Sequence, residues 1–305
     1  MKLGLFSWAK SDSQIGVEFL PDGVAIAQVR SGKKNSGQIL RSEFIKADGD
    51  IAKLEGLKSW VRDHRLQKNP CVCVVGSGDC DVYQVGRPEV EAAELLPAVT
   101  WKIKDLIGYD ISLAVVESYP MPVSSKNNQQ QVGVVAAKAS VIGEYVESIK
   151  STSMNLVALD IQELVRSNLA VVKRVSEQTI AVLSLAKNNG LLSVYSDGDL
   201  YVSREFKIGL DQLALVTSED QAVFDSILLE IQRSLDYFES YYGMGSVAQL
   251  HMFPQLPVVE KMALYIQNLT NLELEFISAE SADASTVLDP HCFHAYCAAL
   301  RGVNQ

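Results

Sequence analysis

The sequence predicts an α/β protein built from two tandem lobes. Both halves of the chain open with apolar runs separated by tight-turn residues, Pro21-Asp-Gly23 in the first half and Asn188-Asn-Gly190 in the second. In both halves these strands are followed by helices that alternate with further strands, as in parallel crossovers. The chain of 305 residues is 48% apolar and 21% charged, which is enough to form more than one core.

The first half begins with a predicted hairpin, Ile15–Leu20 and Gly23–Arg30, and a third strand over 37–46. Apolar residues then recur at helical spacing over 51–66, namely Leu54, Leu57, Trp60 and Val61. Cys71–Val75 is a short apolar strand after that helix. Three antiparallel strands, a helix and a returning strand are typical of a ribonuclease-H-like lobe.

A further segment interrupts the first half. Pro88 opens a predicted helix over 89–107, and two strands at 112–119 and 131–138 and a helix at 140–151 follow it. A strand at 156–160 and a helix at 161–174 then return to the first lobe. The sequence therefore predicts an inserted subdomain within that lobe.

The second half repeats the pattern of the first. Strands are predicted at 179–186, 191–195 and 200–208, a long helix at 218–242, and then strand 247–252, helix 258–268, strand 272–277 and helix 291–301. Two such lobes in tandem define an actin-like ATPase (ribonuclease-H-like) fold. The predicted organisation is a flexible N-terminus at 1–14, a first lobe at 15–85 and 154–175, an inserted subdomain at 86–153, and a second lobe at 176–305.

Charge and cysteine content limit the class of function. The formal net charge is −10, which argues against nucleic acid as a partner, and no apolar run approaches the roughly 20 residues of a membrane span. The five cysteines are odd in number and no secretory signal is visible. These features predict a cytoplasmic protein with reduced thiols.

Several stretches resemble the PilM family of type IV pilus assembly proteins, which are relatives of the cell-division protein FtsA. The first hairpin is similar to that of the family, and 96–110 with 114–120 resembles its inserted subdomain. The segment Glu230-Ile-Gln-Arg-Ser-Leu-Asp-Tyr-Phe-Glu239 resembles the long helix of the family, and Ala298-Ala-Leu-Arg-Gly302 its C-terminal ending. The resemblance touches the whole chain in separate patches.

The resemblance implies a scaffold at the inner face of the bacterial inner membrane, held there through its partner. Proteins of this family bind the cytoplasmic tail of the membrane protein PilN in a groove between the inserted subdomain and the first lobe, and help to couple the membrane platform to the assembly ATPase. The groove residues implied here are Trp101, Ile107, Tyr109 and Tyr119. A homodimer is left open.

The same resemblance allows the nucleotide motifs to be checked. The family's first hairpin carries an acid, a Gly/Ser-rich turn and a lysine; here Glu18, Leu20 and Ala25 stand at those positions, with Pro21 and Asp22 in the turn. In the second hairpin Ser184 replaces an acid and Ala186 a glycine. The stretch 252–257, where the family has a Gly-Gly turn, contains no glycine.

These departures predict a protein that is not an enzyme and has no cofactor. Asp160 remains as an acid of the cleft, with a helix N-cap or first-turn acid as the alternative. Few residues separate Gly209–Ala214 from the long helix, so the lid that covers the nucleotide in relatives is expected to be shortened. The alternative functions are a weak ATP-binding switch, in which Glu18 and Asp160 share a Mg²⁺ ion, and a sugar-kinase-like enzyme.

A histidine and cysteine cluster near the C-terminus has two interpretations. His291, Cys292, His294 and Cys297 include residues spaced to share one face of a helix, which zinc could use. No second group of ligands lies nearby in sequence. A structural helix end with buried cysteines is the preferred interpretation, and no metal site is predicted.

Overall fold

The computed structural model describes residues 13–31, 37–125, 130–172, 179–216, 221–278, 280–281 and 288–302. The chain divides into two compact units, one of 1–77, 141–172 and 279–305 and one of 78–140 and 173–278. We call the first unit the first lobe; within the second unit, 78–140 is the inserted subdomain and 173–278 the second lobe. No helix among the described residues is both long enough and apolar enough to cross a membrane.

The first lobe opens as the sequence predicts. Its first elements are β1 (Ser13–Leu20), β2 (Gly23–Ser31), β3 (Gly37–Lys46), α1 (Asp50–Asp63) and β4 (Pro70–Val75). The β1–β2 hairpin closes with Leu20 opposite Gly23, and β4 runs parallel to β1. β1 begins at Ser13, so two residues assigned to the flexible N-terminus belong to the sheet, while 1–12 lie outside the described residues.

The inserted subdomain is a three-stranded sheet covered on one face by a helix. It contains β5 (Asp81–Gly86), α2 (Leu95–Ile103), β6 (Ala114–Val123) and β7 (Gln130–Lys138), with strand order β5-β7-β6. β5 was not predicted, and because it pairs with β7 the subdomain starts at Gly78 rather than at 86. The helix predicted over 89–107 is also shorter, since it is regular only within 95–103.

The chain then returns to the first lobe earlier than predicted. The elements are α3 (Ala139–Ser151), β8 (Asn155–Ile161), α4 (Gln162–Val165) and α5 (Ser167–Val172). α3 groups with the first lobe rather than with the inserted subdomain. The helix predicted over 161–174 is divided at Arg166, and 173–178 lie outside the described residues.

The second lobe follows the predicted order of strands and helices. It contains β9 (Ile180–Leu185), β10 (Gly190–Ser196), β11 (Asp199–Phe206), α6 (Leu210–Leu213), α7 (Ala222–Tyr242), β12 (Gln249–Phe253), α8 (Pro257–Leu269) and β13 (Glu273–Phe276). The sheet order is β11-β10-β9-β12-β13. Ile231 and Phe238 of α7 are fully buried in the core against this sheet. The stretch between α6 and α7, where a shortened lid was predicted, includes 217–220, outside the described residues.

The inserted subdomain is joined to the second lobe by contacts at the end of α7. The Ser124 hydroxyl donates a hydrogen bond to the Tyr241 carbonyl oxygen at 2.9 Å. Strands β6 of the inserted subdomain and β11 of the second lobe are also in contact. These contacts place 78–140 and 173–278 in one compact unit.

The C-terminal part of the chain belongs to the first lobe, not to the second lobe as the predicted boundary 176–305 has it. β14 (Glu280–Ser281) pairs with β3, and α9 (Phe293–Ala299) packs on β1, β2 and β4. Six of the seven residues of α9 are buried; only His294 is partly exposed. An almost wholly apolar helix must be enclosed by a core, and the sheet of the first lobe supplies it.

Candidate functional site

Two acids lie on the same face of the first-lobe sheet. Strand register places Glu18 of β1 beside Val74 of β4, and Val74 beside Asp160 of β8. The two acids are therefore at one level of the sheet and two strands apart, which puts their Cα atoms about 10 Å from each other. The structure thus brings together two of the four residues predicted for a vestigial nucleotide site.

The carboxylate of Glu18 is enclosed by residues distant in sequence. Glu18 is 1% exposed, and its Oε1 accepts a hydrogen bond from Gln162 Nε2 at 2.7 Å. His294 Nδ1 lies 3.2 Å from the same oxygen. Since a carboxylate only accepts hydrogen bonds, Nδ1 carries the proton in this contact. Burial of an unpartnered carboxylate would be costly, and these two donors offset that cost.

Asp160 is held by an ion pair with the C-terminal segment. The Arg301 guanidinium contacts its Oδ2, and the Ile161 amide donates to its Oδ1 at 2.9 Å. Burial raises the pKa of the Asp160 carboxyl, and the charge of Arg301 opposes that shift. Since α4 begins at Gln162 with Ile161 as its N-cap, Asp160 is neither the cap nor a first-turn acid of that helix.

α9 reaches these acids because alternate residues of β1 face it. Gln14 Nε2 donates to the Ala298 carbonyl oxygen at 3.3 Å. At Gly16 a Cβ atom would lie 1.8 Å from the Ala295 carbonyl oxygen, so only glycine admits the helix backbone at this distance. Glu18 is the next residue on the same face, because side chains alternate along a strand.

Each turn that would hold a phosphate has one backbone donor missing or engaged. The first turn consists of Pro21 and Asp22 alone; Pro21 has no N–H, and the exposed Asp22 accepts from the Ala47 amide through its carbonyl oxygen at 3.0 Å. In the second turn the Ala186 amide donates to the Asn189 carbonyl oxygen at 2.9 Å. Ser184 lies in β9 of the second lobe, almost buried. Pro21 offers no amide donor, the exposed Asp22 carboxylate adds negative charge, and the Ala186 amide is engaged, a combination that fits a bound phosphate poorly.

The residues predicted to form a partner groove lie in three different places in the inserted subdomain. Trp101 is 69% exposed on α2, with Lys104 Nζ 3.3 Å from its ring centroid. Ile107 is buried in the core between α2 and the sheet, and Tyr109 packs against that core. Tyr119 lies on the opposite face of the sheet, over Gly133, where a Cβ atom would lie 2.1 Å from the tyrosine ring. The four residues therefore do not share one surface.

The outer face of the inserted sheet carries exposed apolar residues. Val82 and Val115 are 37% and 40% exposed, and strand register places both on the face of Tyr119, away from α2. We call Val82, Val115 and Tyr119 the outer sheet face. A strand over 112–119 was predicted from the sequence; the missing element was β5, which supplies Val82.

The C-terminal histidines and cysteines make separate contacts. His291 pairs with Asp289 and stacks on Phe44 with centroids 4.1 Å apart, whereas His294 contacts Glu18. Cys292 and Cys297 are buried, and burial raises the pKa of Cys292 to about 11. Among the described residues no group of three or more histidines, cysteines and acids is placed to hold a metal ion.

Sequence reasoning missed three residues of this site: Gln162, His294 as a partner of Glu18, and Arg301. The Glu18–His294 contact joins residues 276 positions apart, and the Asp160–Arg301 pair joins residues 141 apart. No local pattern encodes such separations. The signal available was the Ala-Leu-Arg-Gly ending, which marked Arg301 without indicating its partner.

Comparison with known proteins defines the class of fold first. No protein-family model matches the sequence, and no curated protein matches it. Solved structures do match over nearly the whole chain, and with the two tandem lobes described above they establish the actin-like α/β fold.

Two of these structures come from a pilus biogenesis complex and a secretion system. The chain is similar to a protein in a PilM-PilN type IV pilus biogenesis complex, with TM-score 0.69 and 14% identity over 96% of this chain and 98% of that one. It is also similar to the cytoplasmic domain of EpsL, an inner-membrane component of the type II secretion system of Vibrio cholerae. That match has TM-score 0.51 and 11% identity over 94% of each chain.

Proposed function

We propose that this protein is a cytoplasmic scaffold of a type IV pilus assembly machine that binds the cytoplasmic tail of a PilN-like inner-membrane protein. The observation that carries the proposal is the similarity to the PilM-PilN complex structure, which extends over 96% of this chain with TM-score 0.69. The resemblance of the Glu230–Glu239 segment to the long helix of the PilM family supports it from the sequence.

The finer assignment follows from the same resemblance. We further propose that the chain is a counterpart of MshI, the PilM-like component of the mannose-sensitive haemagglutinin (MSHA) pilus. In this role it links the membrane partner to the hexameric assembly ATPase and is held at the inner face of the inner membrane by its partner. The similarity to the cytoplasmic domain of an inner-membrane secretion component supports such a location.

The partner tail is proposed to bind on the inserted subdomain. The outer sheet face presents two half-exposed valines on the same side of the sheet as Tyr119. Trp101, the one aromatic residue of α2, lies on the other side of the sheet and is not part of this surface. Aromatic side chains commonly dominate the binding energy of interfaces because they bury a large area at low entropic cost. Ile107 and Tyr109 support this surface from the core rather than contact the partner.

The protein is further proposed to work without nucleotide, as a pseudo-ATPase. Pro21 lacks an amide donor and the Ala186 amide is engaged within its own turn, and the carboxylates of Glu18 and Asp160 are already held by the chain's own side chains. The alternative, a weak Mg-ATP switch, has in its favour that both acids lie on one face of the sheet. A thermal titration with Mg-ATP separates the two, because a saturable rise in melting temperature would favour the switch.

The partner proposal is tested by titrating the full chain with a synthetic peptide of a PilN-like cytoplasmic tail. We expect saturable binding by calorimetry, weakened about 10-fold or more by Tyr119→Ala, as for an aromatic hot spot. Leu264→Ala on α8 is the matched control, since Leu264 is 62% exposed but lies on the second lobe. Absence of binding at high micromolar peptide would refute the proposal.

A further inference from the structure

The C-terminal segment places one side chain against each of the two acids of the first-lobe sheet. One of these side chains donates a hydrogen bond and the other is positively charged. We define this segment as Asp289–Gly302, which contains α9. His294 contacts Glu18, and Arg301 forms an ion pair with Asp160. Both acids are nearly enclosed, with side-chain exposures of 1% and 11%.

Two carboxylates at one level of a sheet and largely removed from water need compensating charge. A buried acid without a partner is strongly destabilising, because its hydration is lost and nothing replaces it. In the actin-like fold a metal–nucleotide complex is the expected source of such charge. Here the phosphate turns do not fit that ligand, and the compensation comes from side chains of the chain itself.

The segment is also fixed by its backbone, so the contacts of His294 and Arg301 with the acids are not isolated surface pairs. The Ala298 carbonyl oxygen accepts from Gln14, and the Cys297 carbonyl oxygen accepts from Asn168 Nδ2 at 3.0 Å. The Ala295 carbonyl lies directly over Gly16. α9 is thereby seated on β1 at the face where both acids lie.

We propose that the segment Asp289–Gly302 is a resident substitute for the metal–nucleotide ligand of the first lobe, with His294 donating a hydrogen bond to Glu18 and Arg301 pairing with Asp160. This inference rests on the nucleotide-free function proposed above. The inference also goes beyond that function. Docking of the C-terminal segment, rather than binding of a ligand, controls whether Glu18 and Asp160 are accessible. When the segment loses its charge, the acids become a site for a divalent cation.

The experiment compares melting temperatures of the full chain and its variants with and without millimolar Mg²⁺. Arg301→Gln removes the charge but keeps the length of the side chain. We expect its melting temperature to fall by about 2–4 °C, the shift typical of losing one partly exposed ion pair in a chain of this size. Arg301→Lys should retain most of the stability. Arg233→Gln, which breaks an exposed ion pair with Glu230, is the control and should change little.

Adding Asp160→Asn to Arg301→Gln should restore at least half of the lost stability, because no unpaired acid remains. Mg²⁺ should stabilise Arg301→Gln but neither wild type nor the double variant. The proposal is overturned if the single and double variants melt together, or if Mg²⁺ stabilises wild type. Hydrogen exchange of α9 shows whether the segment stays docked. Loss of peptide binding would refute the scaffold and leave this result unaffected, so the two failures are distinguishable.

Discussion

Replacing Gly16 with alanine tests how closely α9 is seated on β1. The added Cβ would lie 1.8 Å from the Ala295 carbonyl oxygen and 2.9 Å from the Ala299 amide nitrogen, both backbone atoms that cannot rotate away. Ordinary contact begins at 3.4 Å, so the helix must move by 3.4 − 1.8 = 1.6 Å. A shift of that size breaks the 3.3 Å hydrogen bond from Gln14 and the 3.2 Å contact between His294 and Glu18.

The expected loss follows from these contacts. Overpacking costs about 1–3 kcal/mol, and each hydrogen bond contributes about 1 kcal/mol. We therefore expect Gly16→Ala to lower the free energy of unfolding by about 3–5 kcal/mol, measured by urea denaturation with an unchanged m-value. Hydrogen exchange should locate the loss in α9.

A second glycine substitution provides the control of opposite sign. Gly143 lies within α3, and a Cβ there would meet nothing within 4 Å. Gly143→Ala should raise stability by about 0.5–1 kcal/mol because alanine favours helix. If Gly16→Ala were within 0.5 kcal/mol of wild type, the close seating of α9 on β1 would be wrong.

Further predictions concern charge, thiols and packing. Because burial raises the pKa of Asp160 in the folded state, that state binds more protons, and its contribution to stability is present at low pH and lost as pH rises through the folded pKa. Asp160→Asn should therefore flatten the decline in stability with rising pH, and an unchanged slope would contradict the burial effect. Thiol labelling of the native protein should modify Cys80 alone, because the other four cysteines are buried; rapid labelling of two or more would contradict the fold. Phe238→Ala should destabilise by about 3–5 kcal/mol in urea denaturation, because Phe238 is fully buried in the second-lobe core. Gly133→Ala should displace the Tyr119 ring and weaken binding of the tail peptide with little loss of stability, and unaltered affinity would exclude that ring from the interface.

The sequence predicted the fold through features that are local along the chain. The turn at Pro21-Asp22 and the apolar runs on either side of it predicted the β1–β2 hairpin, which the structure confirms. The helical spacing over 51–66 and the long run ending at Tyr242 located α1 and α7. Such patterns depend only on the period of the strand or helix, so they are visible before any tertiary contact is known.

Boundaries between units were harder to predict from the sequence, because they depend on which strands pair. β5 has a weak local signal, with only three of its six residues apolar or aromatic, and its assignment to the inserted subdomain comes from pairing with β7. α9 looked like the end of the second lobe by its position in the chain. Its burial on β1, β2 and β4 assigns it to the first lobe instead.

The sequence by itself determined that this chain folds as two actin-like lobes with an inserted subdomain, and it set Pro21 and Asp22 in the turn of the first hairpin. Only the tertiary structure decided what the remaining acids do. Strand register brought Glu18 and Asp160 to one face, and the return of the chain to the first lobe set His294 and Arg301 against them. Contacts across 276 and 141 residues arise from packing of whole elements, which no local pattern encodes.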